Sequence, residues 1–202
     1  ICRELVSKMG IACSTCPGYE AADNMATLTR RRRADGYDVV IVSGDKDRAQ
    51  LLEPGVKMYN LAKNDWLDAD RVPEKMGVRA DQILDFLALT GDSVDNIPGV
   101  RGVGPKAATA LLAEFENLEA IYTDLEKVET LPVRGAKGLR KKLEEGRDMA
   151  EMSRKLVELE FEAPCELCAD DIRYHGADSD EIEAFAEQWG LGRVAAKTPR
   201  RG

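Results

Sequence analysis

The chain has 202 residues, 44% of them apolar and 33% charged, and a net charge of −8. That composition describes a globular chain with a real core; no apolar run approaches the roughly 20 residues of a membrane helix and no signal-peptide pattern opens it, so no membrane role is expected and a cytoplasmic setting is. The acidic balance disfavours nucleic-acid binding on average, but positive charge is concentrated in Arg30 to Arg33, in the set Arg134, Lys137, Arg140, Lys141 and Lys142, and in Lys197, Arg200 and Arg201.

In chain order, ICRELVSKMG reads as a short helix stopped at Gly10, and IACSTC as a strand. A helix is expected from about Glu20 to Arg33, with acids first and bases last as the macrodipole favours. DVVIVSG, Asp38 to Gly44, is the clearest strand, and its nearly unbroken apolar run suits a parallel strand buried on both faces. A short helix through Arg48 to Leu52 and a strand near Val56 to Tyr59 follow, and alternation of this kind implies an α/β sheet. After about Asp70 the texture turns helical: DQILDFLAL, PKAATALLAEF with Pro105 in a first-turn position, GAKGLRKKLEEG, MAEMSRKLVELE, and ADSDEIEAFAEQW with Asp178 as cap. The tail from Ala195 to Gly202 reads as disordered. The expected divisions are 1–70 (α/β core), 71–194 (helical region) and 195–202.

There are five cysteines, four of them in the pairs CSTC and CELC. A four-cysteine zinc site is one reading. The pairs lie almost the full chain apart and lack a knuckle's turn glycine, which favours reduced cysteines acting as small apolar residues.

Three acid pairs sit where elements begin or end. Glu20 and Asp23 share a face of a helix's first turn. Asp45 and Asp47, in GDKD, follow the clearest strand at its carboxyl end, where α/β sheets bind ligands, and a spacing of two in an extended segment points both side chains the same way. Asp92 and Asp95 follow Gly91, a residue suited to ending a helix. Taken singly, each pair also reads as caps or a turn. Gathered together, so many carboxylates would repel unless a divalent cation joined them. Hard oxygen ligands without histidine suit magnesium or manganese, and two such ions can promote phosphodiester hydrolysis.

The stretch IPGVRGVGPKAA places Gly99, Gly102 and Gly104 ahead of a helix beginning near Pro105. Glycines let a backbone approach a ligand closely, a helix N-terminus offers free N–H groups to a phosphate, and Lys106 adds a charge.

With GDKD after a strand, TGDSVDNIPGVRGVGPKAA and LPVRGAKGLRKKLEE, the chain resembles the 5′-nuclease family. It looks most like the 5′–3′ exonuclease domain of bacterial DNA polymerase I and bacterial flap endonucleases. PGYEAAD resembles that family's PGYEADD segment, and Ile1 to about Val194 can be read against it. The resemblance implies an α/β fold, a parallel-sheet nuclease core followed by a helix–three-turn–helix region that binds DNA. It implies a two-metal cluster of Glu20, Asp23, Asp45, Asp47, Asp92 and Asp95, holding magnesium or manganese. It implies a turn of Gly99, Gly102, Val103, Gly104 and Lys106 that grips the duplex backbone and holds potassium through main-chain oxygens, with Arg134 and Lys137 also facing DNA. The implied reaction is phosphodiester hydrolysis near a 5′ end or flap in bacterial replication and repair, at the nucleoid. Two departures stand out. Ala22 occupies the first of two adjacent aspartates, and the family's opening strand and helical arch have no counterpart ahead of Ile1. The chain therefore reads as a fragment, as half of a pair completed by an amino-terminal partner chain, or as a catalytically impaired DNA-binding relative; a polymerase domain fused after Gly202 is also open.

Overall fold

Helix α1 spans Cys2–Lys8 and ends where expected: Gly10 takes a φ of +79° and the Ile11 N–H bonds back to the Val6 carbonyl at 3.2 Å. The computed structural model describes residues 1–133 and 135–202, so Arg134 lies outside the described residues. The chain forms two units, one of residues 1–28 with 161–202 and one of residues 29–160. The segment 11–16, expected as a strand, has no regular secondary structure. No described strand pairs with it, and an unpaired strand has no ladder to satisfy its backbone. Helix α2, Ala21–Ala34, carries Asp23 in its first turn and Arg31, Arg32 and Arg33 in its last.

In the second unit, strand β1 (Val39–Val42) pairs in parallel with β2 (Val56–Asn60), which pairs antiparallel with β3 (Asp65–Leu67). The sheet is therefore mixed, in the order β1-β2-β3. Ile41 of β1 is buried, but Val40 and Val42 are 51% and 62% exposed, so the strand is covered on one face and not two. A two-turn 3-10 helix, Lys46–Leu51, links β1 to β2. Two more 3-10 turns, Ala69–Arg71 and Ala80–Gln82, flank the short α3 (Val72–Met76).

Helix α4 (Ile83–Thr90) is apolar almost all round and is buried, packing on α5 (Pro105–Phe115), on the 3-10 helix Lys46–Leu51 and, most extensively, on the later α8 (Arg147–Val157). Asp85 is the acid inside this core. Its carboxylate accepts from Arg154 at 2.9 Å and from the Leu118 N–H at 2.8 Å, which meets the requirement that a buried charge be paired. Between α5 and α8 lie α6 (Leu118–Thr123), a 3-10 helix (Lys127–Thr130) and α7 (Ala136–Glu145).

The first unit closes with α9 (Ser179–Trp189), capped as expected by Asp178, whose carboxylate accepts from the Asp180 and Glu181 N–H groups at 3.1 Å each, and with α10 (Gly192–Lys197). The tail from 195, expected to be disordered, is instead tied down. Ala195 is buried with Ala177, Ile182 and Ala186. The Ala177 N–H donates to the Pro199 carbonyl at 2.8 Å and the Arg201 N–H to the Ala177 carbonyl at 2.9 Å. Apolar burial and a backbone bridge give this tail what disordered termini lack. Among the described residues, no helix is long and apolar enough to cross a membrane.

Candidate metal centre and glycine turn

The two acids of GDKD do not share an extended segment. The chain leaves β1 and turns at once into the 3-10 helix, with Asp45 as its N-cap. The Asp45 carboxylate accepts from the Asp47 N–H at 3.0 Å and pairs with Arg48 at 3.1 Å. Its oxygens are thereby occupied in shaping the turn, as N-cap side chains are. Asp47 lies one step further on and is only 6% exposed.

Asp92 follows Gly91, whose φ and ψ of 69° and 176° belong to a region essentially reserved for glycine. The acid's backbone exchanges two hydrogen bonds with Ile97, of 3.0 and 2.7 Å, closing a tight loop over residues 92–97. Its side chain accepts from the Val94 N–H at 2.7 Å through Oδ1 and meets the Lys46 ammonium at 3.3 Å through Oδ2. The Val94 N–H, aided by Lys46, holds the Asp92 carboxyl below its ordinary range against the opposing effect of burial.

One carboxylate oxygen from each of Asp47, Asp92 and Asp95 lies within 4.8 Å of the others. Among the described residues this is the one group of three or more histidine, cysteine or acidic side chains so gathered. Burial first, and then the charges of Asp45, Asp92 and Asp95, push the Asp47 carboxyl up to about 6. Asp47 Oδ1 is buried without a hydrogen-bond partner. A buried carboxylate that has an unpartnered oxygen and is gathered with two other carboxylates is the environment a hard divalent cation completes, so the donor set fits magnesium or manganese.

This has a consequence for the metal-free protein. Asp47 ionises near pH 6 in the fold and near 4 when unfolded. The cost of its charge therefore appears as pH rises from about 4 and is complete above about 6. Asp47→Asn is expected to raise the metal-free melting temperature by about 3 °C or more at pH 7.5, on the order of 1 kcal/mol, and to leave it unchanged near pH 4. Thermal unfolding in chelator at the two pH values checks this.

The other two predicted acids belong to the first unit. Glu20 is exposed, and its N–H donates to Asp23 Oδ2 at 3.0 Å, the reach-back half of a capping box. Ala22 beside them is buried and offers no ligand atom.

The glycine turn is fixed from three sides within its own unit. The Gly99 N–H donates to the buried Ser153 Oγ of α8 at 3.0 Å. The Val100 N–H donates to the Leu89 carbonyl of α4 at 2.9 Å. The Gly102 carbonyl accepts from Lys142 Nζ of α7 at 3.0 Å. Val100 and Val103 are buried anchors, whereas Gly102, Gly104 and Lys106 face solvent. Gly104 is the N-cap of α5, which has no side-chain cap; Pro105 has no N–H and the Ala107 and Ala108 N–H groups donate to the Gly104 carbonyl, which leaves the Lys106 N–H for an anion. Lys137 is exposed on α7. The carbonyls of Val100 and Gly102 accept from the Val103 N–H and from Lys142, which leaves each oxygen a second lone pair.

Gly91 and Gly99 bring the acid loop and the turn together. A Cβ on Gly99 would lie 2.3 Å from the Gly91 nitrogen, and one on Gly91 2.4 Å from the Ile97 carbonyl oxygen. Both steps of the pattern, the acids and the glycines, thus form one packed piece of backbone. Sequence reasoning missed Lys46, Lys142 and Ser153 as partners in it. Ser153 did leave a trace, because Ala150, Ser153 and Val157 fall at the spacing of one buried helix face.

Two family profiles together match residues 1–180: a 5′-3′ exonuclease N-terminal resolvase-like domain over 1–77 and a 5′-3′ exonuclease C-terminal SAM fold over 78–180. The chain belongs to the 5′-3′ exonuclease family. It is 44% identical over 168 residues to DNA polymerase I of Pseudomonas aeruginosa, a match covering 83% of this chain and 18% of that protein. It is 36% identical over 169 residues to a 5′-3′ exonuclease of Buchnera aphidicola, covering 84% of this chain and 59% of that one. The chain thus spans well under two thirds of these relatives. Among solved structures it is similar to T5 5′-exonuclease with bound divalent zinc, with a TM-score of 0.59, 26% identity, and coverage of 88% of this chain and 60% of that one. The catalytic core of Rad2 in complex with DNA substrate shares the fold, with a TM-score of 0.62 at 20% identity, over 98% of this chain and 66% of that one.

Proposed function

We propose that this chain is the metal-dependent nuclease portion of a bacterial 5′–3′ exonuclease or flap endonuclease, hydrolysing DNA phosphodiesters near a 5′ end during replication and repair. The observation that carries the reading is the gathering of one carboxylate oxygen each from Asp47, Asp92 and Asp95, with Asp47 buried and its Oδ1 unpartnered, beside a glycine turn that leads into a helix without a side-chain cap. Its relatives support it. They are exonucleases and polymerases, one neighbour binds divalent metal and another holds DNA substrate.

In this reading the three aspartates hold magnesium or manganese, which polarises the phosphodiester and supplies an activated water when bound. The chain's own residues do the rest. The Asp92–Ile97 bridge fixes the ligand loop. The start of α5, with Lys106, binds a backbone phosphate. Lys142, Ser153 and Leu89 hold the turn so that phosphate and carboxylates keep one spacing. Glu20, Asp23 and Asp45, a second metal ion, and DNA contacts from Arg134 and Lys137 enter the proposal on the family resemblance alone. So do a nuclease core over 1–70 with a DNA-binding region over 71–194, cytoplasmic residence at the nucleoid, and completion by an amino-terminal partner chain or a fused polymerase domain.

The test is cleavage of a 5′-flap duplex in magnesium or manganese, beside binding of the same duplex in calcium. Metal-dependent cleavage supports the proposal. A second reading, a DNA-binding relative without catalysis, draws on Ala22, which leaves one position of the motif without a carboxylate. Tight binding in calcium with no cleavage at high protein concentration would favour it.

Lys106 tests the grip itself. Contacts to phosphates position a protein without reading sequence. Lys106→Ala is expected to weaken binding uniformly across sequences and to lower the slope of log affinity against log salt by about one. Fluorescence anisotropy over a salt series measures this, and a changed sequence preference would contradict the backbone-gripping role.

A further inference from the structure

Lys46 lies between the two acids of GDKD and opens the 3-10 helix that carries Asp47. Its side chain is 61% exposed, yet its ammonium does not trail into solvent; it sits 3.3 Å from Asp92 Oδ2. That choice of oxygen is informative. Asp92 Oδ1 accepts from the Val94 N–H, whereas Oδ2 already meets a cation, the ammonium itself. The lysine is a positive group acting on both Asp92 and Asp47, opposing the mutual repulsion of the acids around it.

We propose that Lys46 is a built-in counter-ion of the metal centre: its ammonium holds Asp92 Oδ2 when no cation is present and competes with the divalent ion for that oxygen. The proposal rests on the reading of Asp47, Asp92 and Asp95 as cation ligands. Three carboxylates within 4.8 Å would spread apart if nothing offset their charge. Lys46 keeps them assembled, so the ligand set is formed before the metal arrives. Being long, flexible and mostly exposed, the side chain can leave without disturbing the fold. Each cation that binds must displace it. Lys46 therefore preorganises the site at the expense of metal affinity.

A residue that merely supported the ligands would, on removal, weaken metal binding. A competing counter-ion makes the opposite prediction. Calorimetric titration of the full chain with calcium and with manganese at pH 7.5 and low salt should show Lys46→Met binding about three- to tenfold tighter than wild type, with a lower melting temperature in chelator. Lys46→Arg, which keeps the charge, should stay near wild type in both. Unchanged or weaker cation binding by Lys46→Met, with wild-type binding intact, would overturn the counter-ion role alone. A wild-type chain that binds neither cation would overturn the reading of the three aspartates, and this inference with it.

Discussion

Gly99→Ala is expected to cost about 2–5 kcal/mol of folding stability, a large share of the roughly 5–15 kcal/mol available to a domain. Two penalties add. The residue sits at a φ of +61°, which costs an alanine on the order of 1–2 kcal/mol. The new methyl would also lie 2.3 Å from the Gly91 nitrogen and 2.6 Å from the Thr90 carbonyl carbon. Those atoms are backbone, so no side chain can swing aside, and forced overpacking of this kind costs a further 1–3 kcal/mol or so. Gly104→Ala is the built-in comparison. That position has a φ of −98° and no atom within 4 Å of the added carbon, so only the weaker capping by alanine counts, on the order of 0.5–1 kcal/mol. Urea unfolding of the two variants measures the difference. Because the atoms Gly99→Ala must push are those that lead into Asp92, cation binding should fall with it, whereas Gly104→Ala should lose only DNA affinity. Equal and small effects at both positions would mean that the turn and the acid loop are not the rigid piece described above.

How far the sequence could be read depends on whether the deciding interaction was local. The glycine turn was legible because its requirements are backbone requirements: positive φ at Gly99 and Gly102 and a helix start at Pro105 are each written in residue type. Helix α4 was legible from its density of apolar residues. Strand β1 was found, but VVIV could not say that Val40 and Val42 would stay exposed, since which face is covered depends on elements elsewhere. GDKD supplies one acid, Asp47, to the gathered set, and its local geometry differs from the one expected. A spacing of two aligns side chains only in an extended segment, but Asp45 caps a 3-10 helix and only Asp47 goes inward. Lys46, Lys142 and Ser153 were invisible for a common reason. Their partners, Asp92, Gly102 and Gly99, are 40 to 54 positions away, and no local pattern encodes a contact at that range. The tail after Ala195 looked disordered by composition, and its order comes from the distant Ala177.

The largest loss of activity should follow Asp92→Asn. Asparagine preserves the shape and keeps an oxygen to accept from the Val94 N–H, and the backbone bridge to Ile97 does not involve the side chain. The fold should therefore survive within about 1 kcal/mol. What changes is the second side-chain atom, which becomes an N–H donor on a side chain gathered with Asp47 and Asp95. A donor cannot ligate a cation, and one negative charge is gone. Changes to residues that only orient ligands typically cost 10- to 100-fold, so loss of a ligand itself should reach about 10²–10³-fold in cleavage rate. Single-turnover cleavage of a 5′-flap duplex at saturating magnesium measures it. If the wild-type chain alone cleaves only at background, the same ordering is read from calcium affinity. Asp45→Asn supplies the contrast, since its carboxylate is spent on the Asp47 N–H and on Arg48 and should cost roughly tenfold or less through the turn it shapes. A steep loss at position 92 and a shallow one at 45 is what this geometry requires. Equal losses would mean that Asp45 reorients to ligate when metal binds, and equal silence would mean that the gathered carboxylates are not where the chemistry happens.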